Sequence, residues 1–156
     1  LPTGRLRPET LKALEAQAAR VLEILKEGRV SEGLVRLGGL LHDIGRSRTQ
    51  GIGHAIAGVE IGRVLGFPPA LLGIIERHIG AGITVEEAVR LGLPKRDYLP
   101  LTVEEKIVSY ADNLTKGERP MAYEQALERF VEILGSDHEG VALFRRQHQE
   151  IQGRMK

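Results

Sequence analysis

The sequence predicts an all-α protein, a single helical domain of six or seven helices. Apolar residues recur at spacings of three and four nearly throughout, strand-like alternation is scarce, and Gly or Pro closes most of the periodic segments. The 156 residues fit one domain spanning 1–156, without repeat, low-complexity tract or linker. A domain of this size buries about 68–70% of the surface its unfolded chain exposes.

The first helix is predicted from about Pro8 to Lys26, with Pro at an opening position and Gly28 just past the end. Leu11, Leu14, Ala18, Val21 and Leu25 form its apolar stripe. A second helix, from about Ser31 to Ile44, carries Leu34, Leu37, Leu41 and Ile44 on one stripe and ends at Gly45. A third starts near His54 and stops at "GFPP", and a fourth spans about Pro69 to Ile79, ahead of Gly80. Thr84 with Glu87 is a capping-box pattern opening a short helix, closed by "LGLP" before the loop "KRDYLP". Thr102 with Glu105 opens a longer one through Leu114 in the same way. After "TKGERP" a helix is expected from about Met121 to Leu134, and Ser136 with Glu139 opens the last.

Composition narrows the function. Net charge is +1, from 22 basic and 21 acidic residues spread along the chain, so no long-range field gathers nucleic acid or anionic lipid. There is no cysteine, which removes disulfides, thiolate metal sites and Cys nucleophiles. Any metal must be held by imidazole and carboxylate. No apolar run approaches the ~20 residues that cross a bilayer, and the opening "LPTGRLRPET" lacks the apolar core of a signal peptide. The expectation is a cytoplasmic protein, with its oligomeric state left open.

Five residues stand out: His42, Asp43, His54, His78 and Asp112. Helical spacing puts His78 on a stripe with Leu71, Ile74 and Ile75, and His54 on one with Gly58, Ile61 and Leu65, so both imidazoles should point inward. Asp112 falls at the edge of the face formed by Val103, Ile107, Ala111 and Leu114, where a carboxylate needs a partner. Singly, each has an ordinary explanation: a hydrogen-bonded core histidine, a helix-terminal cap at His42 and Asp43, an arginine pair for Asp112. Together, three of the five histidines and two carboxylates at inward positions on four helices point to a site for Zn, Mn, Fe, Co, Ni or Mg. His138, in "SDHE", and His148, in "RRQHQE", read as solvated.

The stretches "LLHDIGR", "ERHIGAG" and "SYADNL", with His54 a dozen residues after the His-Asp pair, resemble the HD-domain metal-dependent phosphohydrolases, specifically their HDIG subgroup. They occur in that family's order over about Val30 to Thr115, with further helices over 121–156. The resemblance implies an HD-type helical fold in which His42, Asp43 and Asp112 bind a divalent metal. It also implies that His54 and His78 match histidines that hold a second ion in two-metal members.

The implied activity is hydrolysis of a small phosphate ester, such as a nucleotide monophosphate or phosphodiester, by metal-activated water. Asp43 would orient or deprotonate that water, Arg46 would offer a donor fork to phosphate, and Arg48 and Lys116 are further substrate-binding candidates. The chain departs from the family at one point: no histidine precedes His42, and Leu14 in "PETLKAL" stands where the first ligand belongs. Leu14 motivates the alternative of a metal- or nucleotide-binding module without turnover. A di-iron oxygen-activating enzyme ranks last, because such sites need more histidines.

Overall fold

The structure, a computed structural model, describes Pro8 and residues 30–155. The rest of the expected opening helix, including Leu14, lies outside the described residues. Seven α-helices follow: α1 (Glu32–Leu41), α2 (His54–Val64), α3 (Pro69–Glu76), α4 (Val85–Arg90), α5 (Val103–Asn113), α6 (Tyr123–Leu134) and α7 (Glu139–Arg154). A 3₁₀ turn over Ile44–Ser47 links α1 to α2. The "TKGERP" segment forms a two-residue antiparallel hairpin, β1 (Thr115–Lys116) with β2 (Arg119–Pro120), so the class is all-α as predicted. No described helix is long and apolar enough to cross a membrane.

The helix starts follow their caps. Ser31, Thr84 and Thr102 each accept a bond from the backbone N–H three residues on, satisfying donors that the first helical turn leaves free. Pro69 occupies the first position of α3, where its missing N–H costs nothing.

The central element is α5. Its Val108 packs with Leu34, Leu37, Val59, Leu71, Ile74 and Ile75 from α1, α2 and α3. Two residues on, Tyr110 joins Ala126, Phe144 and Ile151 of α6 and α7 in a second cluster. Burying each of the larger aliphatic side chains contributes about 1.5–3 kcal/mol. Asp112 therefore emerges at the C-terminal end of α5, between the two clusters. At the other end, buried Glu104 accepts the Ser31 backbone N–H at 3.0 Å, which ties α5 to the start of α1.

Two predicted helices end early, and both corrections shape the site. Helix α1 stops at Leu41 rather than Ile44, so the His-Asp pair lies in a turn. Here Gly45 is pressed against α2: a Cβ at Gly45 would overlap the His54 carbonyl oxygen and approach the Gly58 nitrogen to 2.6 Å. Helix α3 stops at Glu76 rather than Ile79, because the His78 ring bonds the Ile75 carbonyl at 2.8 Å, which Ile79 N–H would otherwise take. Gly80 then turns the chain with φ +55°, a conformation in which glycine carries no Cβ penalty.

The end of the chain brings smaller corrections. Helix α6 starts at Tyr123 rather than Met121, since Met121 N–H is bonded to the Leu114 carbonyl at 2.8 Å. Helix α7 is capped by His138, not Ser136: His138 Nδ1 accepts the Gly140 N–H at 2.9 Å, and Nε2 lies 3.2 Å from Glu87. Nor is His148 simply solvated. It stacks on Tyr123 at 3.5 Å between centroids and lies 2.6 Å from the Tyr110 hydroxyl.

Candidate metal centre

The close crossing at Gly45 brings the turn after α1 onto the start of α2, so Asp43 meets His54; the loop after α3 adds His78, and the end of α5 adds Asp112. All five predicted ligands converge in two overlapping trios, His42–His78–Asp112 and Asp43–His54–His78, with ligand atoms within 4.8 Å of one another in each. His42 Nε2 is 3.3 Å from Asp112 Oδ1 and 3.5 Å from Asp43 Oδ2. Asp43 Oδ1 is 3.4 Å from His54 Nε2 and 3.3 Å from His78 Nε2.

Backbone bonds fix which ring nitrogen is offered. His42 Nδ1 faces the Gly39 carbonyl at 2.9 Å, His54 Nδ1 the Gly51 carbonyl at 2.9 Å, and His78 Nδ1 the Ile75 carbonyl at 2.8 Å. A carbonyl only accepts, so each Nδ1 carries the proton and each neutral ring turns a lone pair on Nε2 inward. Three Nε2 lone pairs and two carboxylates then face one another with no donor among them. Among the described residues, His42 Nε2 and Asp43 Oδ1 are buried without a hydrogen-bond partner. Arg46 Nε lies 3.1 Å from Asp43 Oδ1, but not in line for a hydrogen bond.

A proton on the Nε2 atoms is the alternative to a cation, and the electrostatics reflect it. The His54 and His78 rings beside Asp43 hold its carboxyl well below the usual carboxylate range, against the opposing effect of burial. Burial works to lower the pKa of His42, but the contact with Asp112 and the charges of Asp112 and Asp43 outweigh it and raise the pKa. Orphaned acceptors of imidazole and carboxylate type, with rings oriented by backbone carbonyls, fit a divalent cation.

A cavity of about 460 Å³ is lined by Asp43 and Asp112 of the cluster together with Arg46, Asn113 and Gly80. Asn113 Nδ2 and Ser109 Oγ both donate to the Gly80 carbonyl, at 3.0 and 2.7 Å, and Gln147 of α7 braces Asn113 and Ser109 at 3.1 and 2.9 Å. The far wall is α6, through Arg129, Phe130, Ile133 and Leu134. A second cavity of about 370 Å³ reaches His42, Asp43 and Asp112 from between α1 and α5.

Of the three cationic candidates for phosphate, the larger cavity includes only Arg46. Arg48 is turned away to Glu60 at 2.8 Å, and Lys116 sits exposed on β1, outside both linings. Arg129 and its α6 neighbours escape a reading of the sequence because they reach the site only through tertiary packing.

The HD domain family model matches residues 13–117. The chain belongs to the HD domain family. This places it in the metal-dependent phosphohydrolase superfamily, whose members bind divalent metals. An uncharacterised protein of Methanocaldococcus jannaschii is 58% identical over 69% of this chain and 64% of its own length. A Thermoplasma volcanium protein named tRNA (cytidine(56)-2'-O)-methyltransferase is 47% identical over 69% of this chain, which is 32% of its own. A protein of Acidothermus cellulolyticus named ribonuclease Y is 30% identical over 88% of this chain and 28% of its own. The HD chain thus spans less than two thirds of these relatives. No solved structure gives a significant match.

Proposed function

We propose that the chain hydrolyses a small phosphate ester, a nucleoside monophosphate or a phosphodiester, with a divalent ion held by His42, Asp43, His54, His78 and Asp112. The observation that carries this reading is the pair of orphaned buried acceptors, His42 Nε2 and Asp43 Oδ1, in a cluster with no internal donor. Each unsatisfied buried group costs about 1–3 kcal/mol, and a cation relieves both. The trios share His78, so one ion drawing on both is the simplest occupancy. Asp43 turns Oδ2 toward His42 and Oδ1 toward His54 and His78, so its carboxylate would serve as a ligand to an ion at either trio. The donor set suits Mn, Fe, Co, Ni, Zn or Mg.

A divalent ion there supplies Lewis acidity, polarising a phosphoryl oxygen and acidifying water near neutral pH. The chain's own residues do the rest. Asp43, a carboxylate at working pH, would accept a hydrogen bond from the attacking water and so orient it. Arg46 offers guanidinium hydrogens to the phosphate from the cavity side. The braced Gly80 turn holds His78 in place. The ribonuclease name of one relative supports a phosphodiester as substrate.

A second reading, a metal- or nucleotide-binding module without turnover, follows from Leu14 at the position the resemblance gives to the first histidine ligand. Element analysis of protein purified without added metal, followed by phosphate-release assays with each candidate metal, separates the two. Metal-dependent release supports hydrolysis; bound metal or nucleotide without release supports the module; neither metal nor release contradicts both.

A further inference from the structure

We propose that α6 is the wall that selects the substrate, with Arg129 taking an oxyanion of the phosphate and Phe130, Ile133 and Leu134 holding a flat apolar group attached to it. The site would then prefer a nucleoside monophosphate to the corresponding sugar phosphate. The inference rests on the phosphohydrolase reading for the placement of phosphate beside Asp43 and Asp112.

The cavity lining brings two acids, Asp43 and Asp112, together with two arginines, Arg46 and Arg129. Arg46 is already drawn to Asp43 at 3.1 Å. Arg129 is only partly exposed and has no ion pair among the described residues. No described residue competes for its donors, and the planar guanidinium fork matches phosphate oxygens.

The same wall carries apolar surface. Arg129, Phe130, Ile133 and Leu134 fall one turn apart in two adjacent rows of α6, so they present one face to the cavity. Ile133 is 68% exposed and Leu134 38% exposed, apolar area that a ligand can cover. Phe130 is fixed by stacking on buried Phe144 at 4.3 Å between centroids and 16° between planes. A rigid aromatic edge flanked by aliphatic side chains is a platform for a planar ring. The cavity volume also falls in the range of sites for small organic ligands.

The test is equilibrium binding of AMP, ribose 5-phosphate and adenosine to the manganese-supplied protein, alongside Arg129→Met and Ile133→Ser, with circular dichroism to check the fold. Wild type should bind AMP at least about tenfold more tightly than ribose 5-phosphate. Arg129→Met should weaken both phosphates by about tenfold, the size of a lost charge-assisted hydrogen bond, and leave adenosine unchanged. Ile133→Ser, which removes apolar surface without adding charge, should weaken AMP alone and so erase the discrimination. Equal affinities for the two phosphates, no saturable AMP binding, or folded variants indistinguishable from wild type would overturn the inference. If AMP binds as described but no metal supports hydrolysis of AMP or of a phosphodiester, the binding wall stands and the phosphohydrolase reading falls.

Discussion

The Nε2 atoms of His54 and His78 lie 3.0 Å apart although each ring carries its proton on Nδ1, bonded to the carbonyls of Gly51 and Ile75. Two lone pairs at that distance repel unless something positive sits between or beside them. Asp43 Oδ1, within 3.4 Å of both, adds to the need. The arrangement is stable with a cation or with an extra proton, and near neutral pH a divalent ion meets the need more fully.

Asp43→Ala and Asp112→Ala should each lose bound metal while the helical circular dichroism persists, because both residues are partly exposed at element ends. Element analysis of the purified variants reads the result. Wild-type metal content in either variant would remove that residue from the ligand set.

His78 belongs to both trios and His54 to one. His78→Ala should therefore weaken metal binding more than His54→Ala, and calorimetric titration of the metal-free proteins gives the order. Unaltered metal affinity together with a lowered melting temperature would mark the buried His78 as a packing residue only.

Metal binding should weaken as pH falls, with an onset above the ordinary histidine value of about 6.5. Only the neutral ring ligates, and the raised pKa of His42 lets a proton compete at a higher pH than usual. Asp43, held low by the His54 and His78 rings, remains ionised across the same range and contributes no step. Titrations with manganese from about pH 8.5 to about pH 5.5 should show affinity falling over that interval. A flat profile would contradict the assignment of His42.

Gly45→Ala should be costly, since its Cβ would meet the backbone of His54 and Gly58, which cannot yield as a flexible side chain can. Overpacking of this kind costs about 1–3 kcal/mol or more, a fall in melting temperature of about 2–4 °C per kcal/mol for a chain of this size. Metal content should fall with it, because the same contact seats Asp43 against His54. Gly153→Ala in α7 is the control: its Cβ meets no described neighbour, and replacing a helical glycine gains up to about 1 kcal/mol. Equal melting temperatures for the two variants would show that the crossing tolerates a methyl group.

Much of this was legible from local chemistry. Thr84 and Thr102 cap where the pattern places them, Pro69 opens α3, and the inward stripes through His54 and His78 are real: both histidines are buried. What periodicity could not reveal depends on contacts distant in sequence. It runs α1 through His42 and α3 through His78, whereas a glycine crossing and a ring-to-carbonyl bond end those helices and turn the two residues into the site. The Glu of each capping pattern is also diverted. Glu105 bonds Arg77 and the Leu101 N–H, while Glu87 pairs with Arg90 and His138. Ser136 lost the cap of α7 to His138, and Arg129 looks like any solvated helix residue until α6 packs across from Asp43.

The resemblance assigns the place of the first ligand to Leu14, which lies outside the described residues. If Leu14 occupies the place of the first ligand, Leu14→His should tighten metal binding, by analogy with the about 10–100-fold worth of outer-shell partners alone, and raise phosphate release with it. A variant that binds metal no better and is less stable by about 1–3 kcal/mol, the cost of an unsatisfied buried polar group, would remove Leu14 from that place.

The most direct test of the account is phosphate release from AMP and from a phosphodiester, by the metal-free protein and after addition of Mn, Fe, Co, Ni, Zn or Mg, with Asp43→Ala in parallel. The account predicts release that requires one of these metals, stops on chelation and is absent in Asp43→Ala. Release that persists in the chelator or in Asp43→Ala, or no release with any of the metals, would contradict it.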